Sequence, residues 1–181
     1  MNIPPITVNG NWVETVKESI PDHAKDIKLN LDNIMKNHGL EPVDAHACAY
    51  AAAIAASNGG LAFEIEMNSP LFLNEAEREA TKAAAALMGM NNIWYPFVEM
   101  TGDPELKGLP PGLRMNVYAN HGGVSKKKFE MYALAASIVG KCHFCVKAHY
   151  DILKAEGMTV QQLQAVGKIA AIVNAIGKVA I

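Results

Sequence analysis

The chain has 181 residues and a mass of 19.5 kDa, enough to bury a core without disulfide or metal staples. Half of its residues are apolar and 19% are charged, which excludes a disordered composition. A net charge of −2 and a pI near 6.3 leave no electrostatic footprint for nucleic acid.

Met1–Gly10 has neither a basic start nor an apolar stretch, so no secretory signal is read there. Pro21 and Asp22 open a helix that reaches Asn37 and His38 and stops at Gly39, with Ile27, Leu31 and Ile34 at helical spacing. Asp44 starts an alanine-rich helix to Ser57, closed by Asn58-Gly59-Gly60. Its small side chains allow another helix to approach closely, so it reads as buried. The longest stretch free of charge, Ala45–Phe63, is mostly alanine and contains His46, Ser57 and Asn58, which makes it a poor membrane span. Asn74 and Glu77 form a capping-box pattern for a helix to about Met88, stopping at Gly89. From Asn91 to Asn120 the periodicity fails. Pro96, Pro104, Pro110 and Pro111 predict a long connection with at most short helices. Trp94, Tyr95, Phe97 and Tyr118 in that connection are residue types typical of interface cores, and they predict a homo-oligomer.

Ser125 caps a helix from Lys126 to Val139, and Gly140-Lys141 breaks it. A second helix runs from Cys142 to about Glu156 and ends at Gly157. Thr159 and Gln162 open a last helix that reaches near Val179. No convincing strand is present, so the fold class is all-α, with residues 1–181 as a single domain. The run Tyr50–Ser57 echoes Tyr132–Ser137, each followed by a glycine break and a further helix. The echo suggests two similar helical halves and sets Gly60 and Phe63 in the places of Cys142 and Cys145.

Chemistry concentrates in the second half. At about 100° per residue, Cys142, Cys145 and His149 fall within an arc of about 60° on one helix face. Cys142 in the first turn meets free amide donors and the positive end of the helix dipole, and Lys141 adds charge. That combination stabilises a thiolate and fits a dithiol that closes to a disulfide and reopens. Three other readings stand beside it: half of a zinc site, a static disulfide, or two buried thiols. Zinc needs four N/S ligands, with only Cys48, His143 and His149 to complete the set. A static disulfide would close too short a loop to stabilise much. Glu130 follows Lys126, Lys127 and Lys128, and by spacing alone it reads as a solvated charge. His143 points away from the dithiol face, and Cys48 reads as a small core residue. Three cysteines are too few and too odd for a secreted disulfide framework, and a cytoplasmic location is expected.

Met90–Tyr95, Pro111–Asn116 with Ala119-Asn120, and Phe129-Glu130 followed by Cys142-x-x-Cys145-x-x-x-His149 together resemble the AhpD family of alkyl hydroperoxide reductases. The likeness runs from about Ile27 to Ala175. It implies an all-helical antioxidant thiol peroxidase, commonly a homotrimer, that reduces organic hydroperoxides. Dihydrolipoyl groups on a lipoylated acyltransferase would re-reduce it through an adaptor protein, with no bound cofactor beyond the redox-active Cys142–Cys145 disulfide. The resemblance makes Cys145 the sulfenic-acid site, Cys142 its partner, and Glu130 and His149 the proton relay. One departure is plain: the family histidine just before the second cysteine is Phe144 here, and a histidine stands at 143 instead. Dipole physics favours the thiolate on Cys142, whereas the resemblance assigns peroxide attack to Cys145. Two other functions remain open at this point. One is a redox-sensing or lipoyl-binding module without peroxidase turnover. The other is a decarboxylase-like relative acting on a lactone, for which proton abstraction would not need a dithiol.

Overall fold

A computed structural model describes residues 11–179, and helices are the only regular elements among them. Residues 1–10, on which the reading of a leader rested, and residues 180–181 lie outside the described residues. In chain order the helices are α1 (Trp12–Ser19), α2 (Lys25–Lys36), α3 (Pro42–Ala55), α4 (Gly59–Asn68), α5 (Glu75–Thr101), α6 (Pro104–Gly108), α7 (Lys126–Gly140), α8 (His143–Ala155) and α9 (Val160–Ile176).

Two alanine-rich helices form the centre. Every residue from Asp44 to Ala53 in α3 is buried, and so is every residue from Phe129 to Ser137 in α7. A helix buried on all sides favours small side chains, and alanine at six of the ten α3 positions and three of the nine α7 positions lets α3 and α7 come into direct contact. Helices α5 and α9 each pack on both. α2 lies on α9, and α1 joins α2 to α4. α8 folds back against α7 and touches α5 and α9. No helix among the described residues is long and apolar enough to cross a membrane.

Four features depart from the sequence reading. Helix α1 was not expected; Asn11 caps it by accepting a hydrogen bond from Val13 N. Helix α4 starts where a stop was read. Ser57 takes the left-handed conformation (φ 55°) that ends the preceding turn, and Asn58 then caps α4 by accepting from Leu61 N. Helix α5 runs through Gly89 and Pro96 to Thr101, where Gly102 at φ 63° closes it. Pro96 lacks the amide that would bond within the helix, at a cost of about 3 kcal/mol. Burial of Ala84, Ala85, Met88, Asn91 and Asn92 offsets that cost. The expected short helices appear only after α5, as α6 and two brief 3-10 turns.

The fourth departure concerns the internal echo. Lys141 ends α7 at φ 56°, just as Ser57 precedes α4 at φ 55°. Cys142 then caps α8, its sulfur accepting from Cys145 N as the Asn58 side chain accepts from Leu61 N. The matching positions are therefore Asn58 and Leu61, not Gly60 and Phe63, because the caps and not the tyrosines set the register.

Candidate functional site

Ser125 caps α7 through its hydroxyl, which accepts from Lys128 N, and the next turn turns Glu130 inward. Despite the three preceding lysines, Glu130 is buried and not solvated. The left-handed Lys141 reverses the chain, so α8 runs back along α7 and brings His149 to Glu130. His149 Nδ1 and Glu130 Oε2 lie 2.6 Å apart, and both side chains are buried.

Cys142 stands at the cap of α8, one residue before the first turn in which it was expected. Its Sγ accepts from Cys145 N at 3.2 Å, so an amide donor is already aimed at this sulfur. The two sulfurs are at disulfide distance, 2.22 Å, with Cα atoms 5.2 Å apart. Both cysteines are buried. Cys48 is a free thiol in the core between α3 and α7, where its Sγ contacts Met131 O and burial pushes its titration well up. Among the described residues, no group of three or more His, Cys, Asp or Glu side chains could hold a metal ion.

Helix α5 supplies a face that the sequence reading did not anticipate. Met88 Sδ lies 3.2 Å from His149 Nε2, so both ring nitrogens of His149 are engaged. One turn on, Asn92 Nδ2 donates to Ala136 O beside Gly140. A further turn on, Tyr95 stacks on Phe144 with ring centroids 4.5 Å apart. Tyr118 packs edge-on against Phe129, and its hydroxyl is held neutral by burial and by the nearby Glu130 carboxylate. Helical spacing along α5 would have revealed Met88, Asn92 and Tyr95 together, had the helix been read past Gly89.

His143 is exposed, as its position on the helix predicts, and Phe144 is about half exposed. Both line a cavity of about 730 Å³ together with Trp94, Tyr95, Leu106 and Lys147. Cys142 and Cys145 are buried and are not among its lining residues. Of the aromatic residues expected at an interface, Tyr95 and Tyr118 make contacts within the chain. Phe97 is exposed, and Ile93 and Met100 on the same helix are more so.

Comparison with known proteins adds three findings. The model of the carboxymuconolactone decarboxylase family matches residues 104–180. The alkyl hydroperoxide reductase AhpD of Rhodospirillum centenum is 39% identical over 167 residues, covering 92% of this chain and 89% of that protein. Proteins of the same name from Coxiella burnetii (39% identical, 93% of this chain and 97% of the relative) and a Bradyrhizobium species (38%, 91% and 90%) are similar over comparable lengths.

Proposed function

Because the chain belongs to the alkyl hydroperoxide reductase AhpD family, we propose that it reduces organic hydroperoxides through a Cys142–Cys145 dithiol–disulfide cycle. The observation that carries this reading is a buried cysteine pair at the start of a helix whose next turn presents a histidine bonded to a buried glutamate. In the reduced form, Glu130 and His149 take up the thiol proton. The Cys145 thiolate attacks the peroxide; the O–O bond breaks, the alcohol leaves with the proton of the Cys142 thiol, and Cys145 becomes a sulfenic acid. The Cys142 thiolate, stabilised by the Cys145 amide, displaces hydroxide from that sulfur, giving the disulfide and water. A dihydrolipoyl group reopens it by exchange and leaves as its own disulfide.

In this proposal the physiological donor is a lipoylated acyltransferase working through an adaptor. The protein acts as a cytoplasmic homotrimer, each chain a single domain over residues 1–181. Exposed Ile93, Phe97 and Met100 supply an apolar strip for the contact between copies. Light scattering at micromolar concentration is expected to give three chains, and a monomer would refute that assembly.

The test of function is a thiol count before and after one equivalent of cumene hydroperoxide, followed by turnover with dihydrolipoamide. Loss of two thiols with sustained turnover is expected. Loss of two thiols without turnover would identify a redox sensor. No loss would remove the peroxidase reading and leave the decarboxylase-like one, for which this dithiol has no use.

A further inference from the structure

With the sulfurs at disulfide distance there is no thiol proton for His149 to accept, yet both of its ring nitrogens are occupied. Nδ1 faces Glu130 Oε2 at 2.6 Å and Nε2 faces Met88 Sδ at 3.2 Å, with all three side chains buried. A thioether has no proton to give and can only accept. A bare Nε2 at this distance would set one lone pair against another, so Nε2 carries the hydrogen. A proton also lies between Nδ1 and Oε2. Two arrangements satisfy both contacts: an imidazolium on a carboxylate, or a neutral imidazole accepting from a carboxylic acid. Each holds two protons and no net charge. The one-proton arrangement would bury an uncompensated negative charge and turn a lone pair toward sulfur.

We infer that Met88 is a positioning residue: its thioether holds His149 Nε2–H and keeps the Glu130–His149 pair in its two-proton form while the disulfide is closed. The pair therefore waits as an acid. A thiolate of the dithiol reductant attacks Cys142 and the S–S bond breaks. Cys145 departs with the electron pair, and His149 gives it a proton. A thioether is a weak acceptor, so a thiolate one helical turn away takes the hydrogen from it. The second reductant thiol then closes the reductant's disulfide, its proton passing to the departing Cys142, and the pair is left with one proton, able to take up a thiol proton again. Two electrons and one proton, that of the second thiol, have passed to the protein.

Among the described residues, no other charged side chain makes an ion pair or hydrogen bond with the pair. Tyr118 is a neutral phenol, Tyr95 on α5 lies against Phe144, and α9 turns Val166, Ile169 and Ala170 inward with Lys168 exposed. Lys141, His143 and Lys147 are on the outer surface.

The acid role rests on the dithiol cycle proposed above, but the protonation state does not, and no arm of the test uses peroxide. Nitrogen NMR of histidine-labelled, oxidised protein at pH 7 is expected to show a hydrogen on His149 Nε2. Met88→Leu conserves volume and removes the acceptor. In that variant the rate of disulfide opening by dithiothreitol, followed by quenched alkylation and mass, is expected to lose its alkaline limb at least about one pH unit lower than wild type, a tenfold loss on that limb. A bare Nε2 in the wild-type disulfide form would overturn the inference even if Met88→Leu failed to fold. An unchanged pH profile in a folded Met88→Leu protein would overturn it as well.

Discussion

Gly140 lies against the Asn92 side chain of α5, and replacing it tests that packing directly. A Cβ built on Gly140 would lie 2.7 Å from the Asn92 Cβ and closer still to its amide. Alanine at this last position of α7 would gain at most about 1 kcal/mol of helix propensity. Against that stands overpacking, at about 1–3 kcal/mol. Displacing Asn92 also breaks its bond to Ala136 O and leaves buried polar groups unpaired, at about 1–3 kcal/mol. The expected net loss for Gly140→Ala is about 2–3 kcal/mol, read from the urea midpoint at unchanged slope. Because Met88 and Tyr95 ride on the same helix, His149 and Phe144 lose contacts in the same step and turnover falls. Asn92→Ala vacates the space that the new methyl needs. The double variant should therefore be more stable than the sum of the two singles by at least about 1 kcal/mol. A Gly140→Ala protein as stable as wild type, or strictly additive losses, would refute this account of how α5 is seated.

Glu130→Gln and His149→Phe should each slow peroxide turnover at least about tenfold with helix content intact, and the double variant should be little worse than either single one. His143→Ala, changed on the outer face, should cost less than His149→Phe in the same dihydrolipoamide-coupled assay. Mass spectrometry of oxidised, alkylated protein should show Cys142 and Cys145 blocked and Cys48 free; a Cys48 disulfide or bound zinc would contradict that pairing. Acid should destabilise the fold through His46, whose Nδ1 accepts from Trp12 Nε1 and whose ring stacks on Phe72. Burial, with a smaller effect from His38, lowers its value from 6.5 to about 4. Between those values the unfolded chain binds a proton that the folded chain does not, so stability falls as pH drops from about 6.5 to 4, by about 3 kcal/mol in all. Urea titrations across that range should show the loss in wild type and not in His46→Phe.

What the sequence disclosed and what it hid follow one physical line. The all-α class, the buried alanine helix, both capping boxes and the shared face of the C-x-x-C and His149 are local properties, set by residues within a turn or two of one another. They are all present in the structure. Partnership across the chain was hidden. Nothing within Lys126–Glu130 tells that the glutamate is buried, because its partner comes from α8 after a reversal that uses a left-handed lysine where glycine would be expected. The family likeness supplied that pairing; residue spacing did not. Met88 was hidden for a different reason. Gly89 and Pro96 are local stop signals, and tertiary burial of α5 overrode both.

The two reversals, before α4 and before α8, share one backbone solution and differ in what fills it. Each ends on a non-glycine residue near φ 55° and opens the next helix with a side chain that accepts from the amide three residues on. At the first the acceptor is the Asn58 oxygen, which satisfies the donor and does nothing more. At the second it is the Cys142 sulfur, and the same donor becomes a stabiliser of negative charge on a nucleophile or leaving group. The residue three further on is Leu61 in one case and Cys145 in the other. Counted back equally from the two caps, α3 carries His46, locked by Trp12, where α7 carries Glu130, free to hold His149. The fold therefore had two places with suitable backbone geometry. Only the second combines a sulfur at the cap, a second sulfur on the first turn, and a buried acid–base pair one turn beyond.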